Sequence, residues 1–262
     1  MKIAFAIAGF PRYFDIKEFY EPARKNILDV YDTKLFAAVY EPHAEREYER
    51  TVWIYDKHSY FRKEFLDELG RLYGPVGAME SRAFLDELPR LLRESDDLPR
   101  STGRQYAHRA LYSQCAMLAL TGEMIKPVVG EYDLVIRYRT DTMIRGCGVT
   151  SQMMQEMSEA TNTIFVASSN GMGWPVAPDG EVGSWGGMRG LCDAMWICRP
   201  EIHLKAVSMF HHLREITREL GTIRAELVFR RHIERLGIQT KIFPIDLHFP
   251  DPNDVFLPKG AQ

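Results

Sequence analysis

Cysteine is scarce in this chain, and its four copies, Cys115, Cys147, Cys192 and Cys198, form no CxxC pair. That spacing excludes a disulfide scaffold and gives a zinc site no support. Reduced thiols in a cytoplasmic setting are the expectation. Long apolar runs are missing too, since nothing approaches the ~20 residues needed to span a bilayer. Neither sign of charge dominates: 33 basic residues face 36 acidic ones, a net charge of -3. A nucleic-acid partner would call for a basic excess or stripe. No GxGxxG, GxxxxGK[ST], HExxH or GxSxG occurs, so dinucleotide, P-loop, zinc-protease and serine-hydrolase chemistries drop out.

What remains is an ordinary globular composition, 45% hydrophobic and 26% charged over 262 residues, enough for one substantial domain. Residues 3–8 are a continuous apolar strand halted by Gly9, Pro11 and Arg12; no small-residue cleavage site follows, so they read as a buried first strand rather than a signal peptide. Ile16, Phe19, Tyr20, Ala23, Ile27 and Val30 recur at helical spacing over 16–31, and 34–40 make a second strand. A strand, helix and strand of these lengths predict a βαβ unit with a parallel sheet. Amphipathic helices are expected near 60–72 and 81–94, and a longer one over 105–125 that Pro127 ends.

Further strands are expected at 163–168 and 191–198, helices at 201–220 and 223–236, and a last strand within 241–248. Residues 169–190 differ in kind, with seven glycines, two prolines, Trp174 and Trp185 and no regular period. This segment reads as a mobile lid carrying aromatic platforms, or equally as a surface excursion whose tryptophans plug the core.

The densest chemistry lies in YDLVIRYRTD, residues 132–141. Strand alternation sets Leu134, Ile136, Tyr138 and Thr140 on one face and Val135, Arg137, Arg139 and Asp141 on the other. Two cations and a carboxylate thus share one side of an otherwise apolar strand, where charge is costly unless paired or bound. Asp141 falls at the C-terminal end, where open α/β sheets place ligands. A metal diphosphate would suit all three groups; a structural Arg–Asp closure of the strand end would also explain them.

The opening strand with Gly9, Pro11 and Arg12, a long helix and then this charged strand resembles the GT-A type of nucleotide-sugar glycosyltransferase, in particular the WavE-like bacterial enzymes of lipopolysaccharide and capsule assembly. Asp193 in CDAMWICRP and Glu226 in IRAELVFRRHIERLGI match the two later acids of that pattern. The resemblance implies a single α/β domain over 1–262, a mixed and mostly parallel sheet flanked by helices, with a nucleotide-binding half at 1–145 and an acceptor half at 146–262. It implies transfer of a sugar from a nucleoside-diphosphate donor to a saccharide or lipid-linked acceptor. It also implies a DxD motif holding Mn²⁺ or Mg²⁺; here Arg139 stands where the first aspartate would, leaving Asp141, with His248 as a second metal ligand.

On that reading Arg137 and Arg139 meet the diphosphate, while Gly9, Arg12 and Arg109 border the nucleotide. Asp193 is the preferred base, since a carboxylate in an apolar segment needs a partner or a task; Glu226, near a helix start, comes second. Trp174 and Trp185 serve the acceptor or the lid. The arginines of helix 223–236 either meet an anionic lipid surface or form a solvated helix face. Two rival functions stay open: a sugar nucleotidyltransferase, and a GT-like domain that binds glycan or nucleotide without turnover.

Overall fold

The computed structural model describes residues 1–9, 24–39, 67, 70–71, 76–78, 107–139, 142–168, 181–185, 188–222 and 224–248. The first strand, β1 (Lys2–Gly9), is enclosed from its second residue onward, as its uninterrupted apolar run requires. It pairs in parallel with β2 (Asp32–Val39) and with β4 (Leu134–Arg139), and β2 pairs in parallel with β3 (Val76–Ala78). On the other flank β6 (Thr163–Ala167) and β10 (Gln239–Phe243) are parallel to each other. Between the flanks lies β9 (Met195–Cys198), antiparallel to both β4 and β6. The seven strands run in the order β10-β6-β9-β4-β1-β2-β3. The sheet is mixed and mostly parallel, and it takes strands from both sides of residue 145.

Register assigns the two faces. Ile3, Phe5 and Ile7 line up with Leu134, Ile136 and Tyr138, and these large side chains form one face. Ala4, Ala6 and Ala8 align with Val135, Arg137 and Arg139 on the other. Over that second, small-residue face packs α1 (Ala107–Ile125), whose Ile125 meets Ala4, Ala6 and Val135. Small residues on the strands let the helix come close. A 3₁₀ turn, Lys126–Glu131, carries Pro127 near its start and so prolongs the helix by a turn where the sequence reads as a stop. The buried Met154 and Met157 of α2 (Ser151–Glu159) join the main core, and Thr150 caps the first turn of that helix by accepting from Met153 N at 3.2 Å.

Three helical pieces follow β9: α3 (Pro200–Val207), a 3₁₀ turn at Ser208–His212, and α4 (Leu213–Leu220). The one long helix expected over 201–220 is therefore broken, with neither proline nor glycine to announce the break. Helix α5 (Ala225–Arg235) then leads into β10. Where α1 meets α3 the approach is tight: a Cβ on Gly122 would lie 2.6 Å from Val207 Cγ2. Val207 is buried and β-branched, so it cannot swing aside. Gly122→Val is expected to cost about 1–3 kcal/mol by overpacking. Denaturant titration would check this, with Val207→Ala in the same chain restoring part of the loss.

Other sequence expectations are corrected or fall outside the described residues. Of 16–31, residues Arg24–Leu28 form a short π-helical turn and 16–23 lie outside the described residues. Within 60–72 only residues 67, 70 and 71 are described, and they are helical; 81–94 lie outside. The stretch 169–190, read as having no regular period, contains a hairpin of β7 (Glu181–Trp185) and β8 (Met188–Leu191). The tail holds two strands, not one: Pro244 separates β10 from β11 (Ile245–His248), which leaves the main sheet to pair with β5 (Met143–Cys147). No helix among the described residues is long and apolar enough to cross a membrane.

Candidate functional site

Strand direction builds the site. β1, β2 and β4 are parallel, so Gly9, Val39 and Arg139 end at one edge of the sheet. Because β9 runs the opposite way, the residues entering it arrive at that same edge. Asp193 is one of them. It lies in the link between β8 and β9, not within a strand as its apolar neighbours suggest. Glu226 is on the first turn of α5, the helix that precedes β10 and packs Phe229 on Trp196. The Glu226 carboxyl feels the charges of Asp193 and Arg139, which puts that first turn at the same edge of the sheet.

The link is fixed from three sides. Arg139 N donates to Ala194 O at 3.1 Å. Arg137 Nη1 donates to the Asp193 carbonyl oxygen. Gln114 Nε2, from α1, donates to Asp193 Oδ2 at 2.8 Å. The Arg139 guanidinium completes the set, with Nη1 3.4 Å from Asp193 Oδ1 and 3.5 Å from Oδ2. Charge-assisted N–H···O contacts close to about 2.7–2.9 Å when locked, so Arg139 is a loose partner to the acid.

Glu226 belongs to the same charged group. Burial first, and the Asp193 charge second, push its carboxyl above the usual carboxylate range; its own backbone N–H, Arg139 and Arg224 pull the other way without cancelling the rise.

Arg137 plays a different part from the one expected of it. It is fully enclosed, and its guanidinium lies 4.7 Å from the centre of the Trp196 ring. Trp196 is stacked on its other side by Phe229 of α5, centroids 4.7 Å apart. A cation over an indole gains electrostatically from the ring face. Trp196 Nε1 in turn donates to His203 Nδ1 at 3.4 Å. Burial, and then the Arg137 charge, depress the His203 imidazole to about 3. Arg137 is therefore a buried strut under the Asp193 link, whereas Arg139 keeps some exposure.

The remaining candidates divide by what is described. Gly9 ends β1 with φ at 137°, a conformation that suits glycine alone. Arg109 lies on the first turn of α1 and Trp185 at the end of β7, by backbone only. Arg12, Asp141 and Trp174 lie outside the described residues. Thr142 is tied back to β4: Tyr138 Oη donates to Thr142 O at 2.5 Å, and Thr142 Oγ1 to Arg139 O at 2.9 Å. His248 is the register partner of Met143, two residues past Asp141 in sequence. Among the described residues, no group of three His, Cys, Asp or Glu side chains could hold a metal ion.

On α5, Arg230 pairs with Glu234 at 2.7 Å, Arg235 with Glu215 at 2.9 Å, and Arg231 with Glu219. These arginines are committed to the chain's own carboxylates, as the solvated-face alternative has it. The thiols beside the site are quiet: burial raises Cys192 to about 12 and lifts Cys115 as well.

Sequence reasoning found Arg137, Arg139, Asp193 and Glu226, which the fold brings to one place. It missed Gln114, Trp196 and His203. A lone amide ahead of the apolar run 115–120 was the only signal for Gln114, and Trp196 and His203 read as plain core.

No family model matches the chain, and no curated protein matches it. Among solved structures, a putative glucose-1-phosphate thymidylyltransferase from Bacillus anthracis aligns with 94% of this chain and 89% of its own, at 8% identity and a TM-score of 0.41. A nucleoside-diphosphate-sugar pyrophosphorylase from Vibrio cholerae aligns with 96% of this chain and 97% of its own, at 12% identity and a TM-score of 0.44.

Proposed function

We propose that this chain transfers a sugar from a nucleoside-diphosphate donor to a hydroxyl of a saccharide or lipid-linked acceptor. The observation that carries the reading is the convergence of Arg139, Asp193 and Glu226 at the C-terminal edge of β4. Donor transfer needs a cation for the departing diphosphate and a base for the incoming hydroxyl, and these are the groups that meet there. As the acceptor oxygen bonds to the anomeric carbon, the bond from that carbon to the diphosphate oxygen breaks, and its electron pair leaves with the nucleoside diphosphate. The hydroxyl proton goes to Glu226. Arg139, loosely held by Asp193, turns toward the phosphate oxygens as charge builds on them.

The roles of the two acids are thereby exchanged from the order the sequence favours. Asp193 is engaged by Gln114 and Arg139 and anchored through its own carbonyl, so it serves as the fixed charge that orients Arg139. Glu226 has the elevated proton affinity a base near neutral pH requires. Gly9 gives the nucleotide a close backbone approach, and Arg12 is assigned to it from sequence. Asp141 and His248 are the residues that would hold Mn²⁺ or Mg²⁺, an ion that supplies charge neutralisation at the diphosphate.

A thermal-shift screen of UDP-, GDP-, CMP- and dTDP-sugars with Mn²⁺, Mg²⁺ or EDTA tests the reading. A ligand that binds only the folded state stabilises it by about 2.7 kcal/mol at a hundredfold excess over Kd. One nucleotide class is expected to raise the midpoint, and EDTA to remove the rise. Asp141→Ala is expected to abolish the metal-dependent part of the shift. Full donor affinity in that variant, with unchanged Mn²⁺ dependence, would remove Asp141 from the site. No shift from any donor would overturn the transferase reading. Release of pyrophosphate from a nucleoside triphosphate and a sugar phosphate would replace it with nucleotidyl transfer.

A further inference from the structure

We infer that Trp196 is a positioning residue, whose ring joins the Asp193 link to helix α5 and keeps the two elements in fixed relation. Its main chain is held on both sides, since β9 pairs Trp196 with Arg137 of β4 and with Val166 of β6. Cross-strand partners in an antiparallel ladder place their side chains on one face. The Arg137 guanidinium accordingly lies 4.7 Å from the centre of the Trp196 ring, and it also donates to the Asp193 carbonyl oxygen. From α5, Phe229 stacks on the same indole, with centroids 4.7 Å apart and planes 18° from parallel. Phe229 follows Glu226 by three residues, so the two are neighbours on the helix surface. An unbroken run of contacts therefore leads from the Asp193 main chain through Arg137, Trp196 and Phe229 to the turn that bears Glu226.

Packing alone does not call for tryptophan here. Leucine or phenylalanine would fill a core without adding a polar atom to satisfy. A buried guanidinium, by contrast, gains most from an indole face, and the indole N–H then needs an acceptor, which His203 Nδ1 of α3 provides at 3.4 Å. Arg137 and Phe229 are 0% exposed and Trp196 1%, so a shift of the ring passes to its neighbours and not to solvent. Loss of either partner lets the indole tilt into the space left behind, and the other partner follows it. The inference rests on reading Arg139, Asp193 and Glu226 as the groups of donor transfer, and it adds what holds their two elements together.

Amide hydrogen exchange of the whole chain tests this by disturbing one end of the run and reading the other. Phe229→Leu removes the stacked ring from α5; its reporter is the Arg139 N–H, which donates to Ala194 O on the link at 3.1 Å. Arg137→Met removes the guanidinium from β4; its reporter is the Val228 N–H, which donates to Arg224 O at 3.0 Å at the start of α5. Each reporter is expected to exchange roughly three- to tenfold faster than in the wild type, relative to amides of the β1–β2 ladder, which follow the stability of the whole fold. Trp196→Phe keeps a ring for both partners and is expected to leave both reporters near their wild-type rates. Trp196→Leu is expected to speed both together, and it carries the measurement if either single-ended variant does not fold. Reporters that change only in step with the β1–β2 amides would overturn the proposal, because a plain packing role weakens the fold without coupling its elements. Acceleration at one end alone would overturn it as well. Exchange needs no substrate, so coupled reporters in a chain that binds no nucleotide sugar would keep the role of Trp196 and sink only the transfer reading.

Discussion

Replacing Glu226 with glutamine is expected to abolish sugar transfer and, in the same protein, to raise its stability at neutral pH. The two effects share one origin. A carboxyl whose proton affinity is elevated by burial and by a neighbouring acid pays for its ionised form in folding free energy. Below the ordinary carboxylate value of 4.5 the folded and unfolded chains both hold the proton, and the residue costs nothing. As pH climbs from there toward the raised folded value, the unfolded chain releases its proton first and stability declines. Above the folded value the cost is complete. Glutamine carries no charge at any pH, so the gain it brings is largest near pH 7 and disappears near pH 4. Activity moves the opposite way: loss of a positioned general base costs on the order of 10²–10⁴ in rate. Thermal midpoints of both proteins from pH 4 to 8, beside turnover at pH 7, would check the pairing. A variant that loses activity with no pH-dependent gain would mean that Glu226 is not the strained acid. A variant that gains stability and keeps its turnover would mean that it is not the base.

The architecture explains how much of this was legible in the sequence. The faces of β4 were readable because alternation is local: Arg137 and Arg139 had to share a side, and register confirms it. The parallel arrangement of β1 and β2 followed from the helical spacing between them and from strand length. What sequence could not supply was the direction of β9. An antiparallel strand inserted between parallel neighbours is a long-range choice, and it alone carries Asp193 to the edge where Arg139 ends. The β7–β8 hairpin was hidden by its glycines, which hold no side-chain alternation for a pattern to show. The break in the helix after Val207 was hidden for the reverse reason, since the apolar spacing continues through Ser208–His212 while the backbone tightens. Glu226 was visible as an acid at a helix start, where the macrodipole favours one. Its raised proton affinity was not, because that depends first on burial and then on a carboxylate thirty-three positions away in the chain. Arg137 shows the same limit: its charge was conspicuous, but only the packing of Trp196 and Phe229 reveals it as a strut.

The other large expected effect lies beneath that strut. His203 is fully buried, its Nδ1 accepts from Trp196, and its Nε2 has no hydrogen-bond partner among the described residues. Charging it would set a second cation beside Arg137 in a space that offers it no acid. The folded chain therefore refuses the proton down to about pH 3, whereas an unfolded histidine takes it near 6.5. Above 6.5 both states are neutral and no cost arises. As pH falls below 6.5 the unfolded state gains a proton that the folded state lacks, and stability drops by about 1.4 kcal/mol per pH unit. His232, on α5, is lowered in the same direction by burial, while Glu226 works in the opposite sense on the way down to 4.5. The wild-type slope thus mixes three groups, and the difference between two proteins isolates one. His203→Gln keeps an acceptor for Trp196 Nε1 and cannot be protonated. Its stability, measured by denaturant titration between pH 7.5 and 5, is expected to lose about 1.4 kcal/mol per pH unit less than the wild type below 6.5. Parallel slopes would show that His203 takes up its proton in the folded state, and that the core around Arg137 is open enough to solvate it. A flattened slope would place the acid limit of this protein in the buried group of Arg137, Trp196 and His203, directly under the link that holds Asp193 in the site.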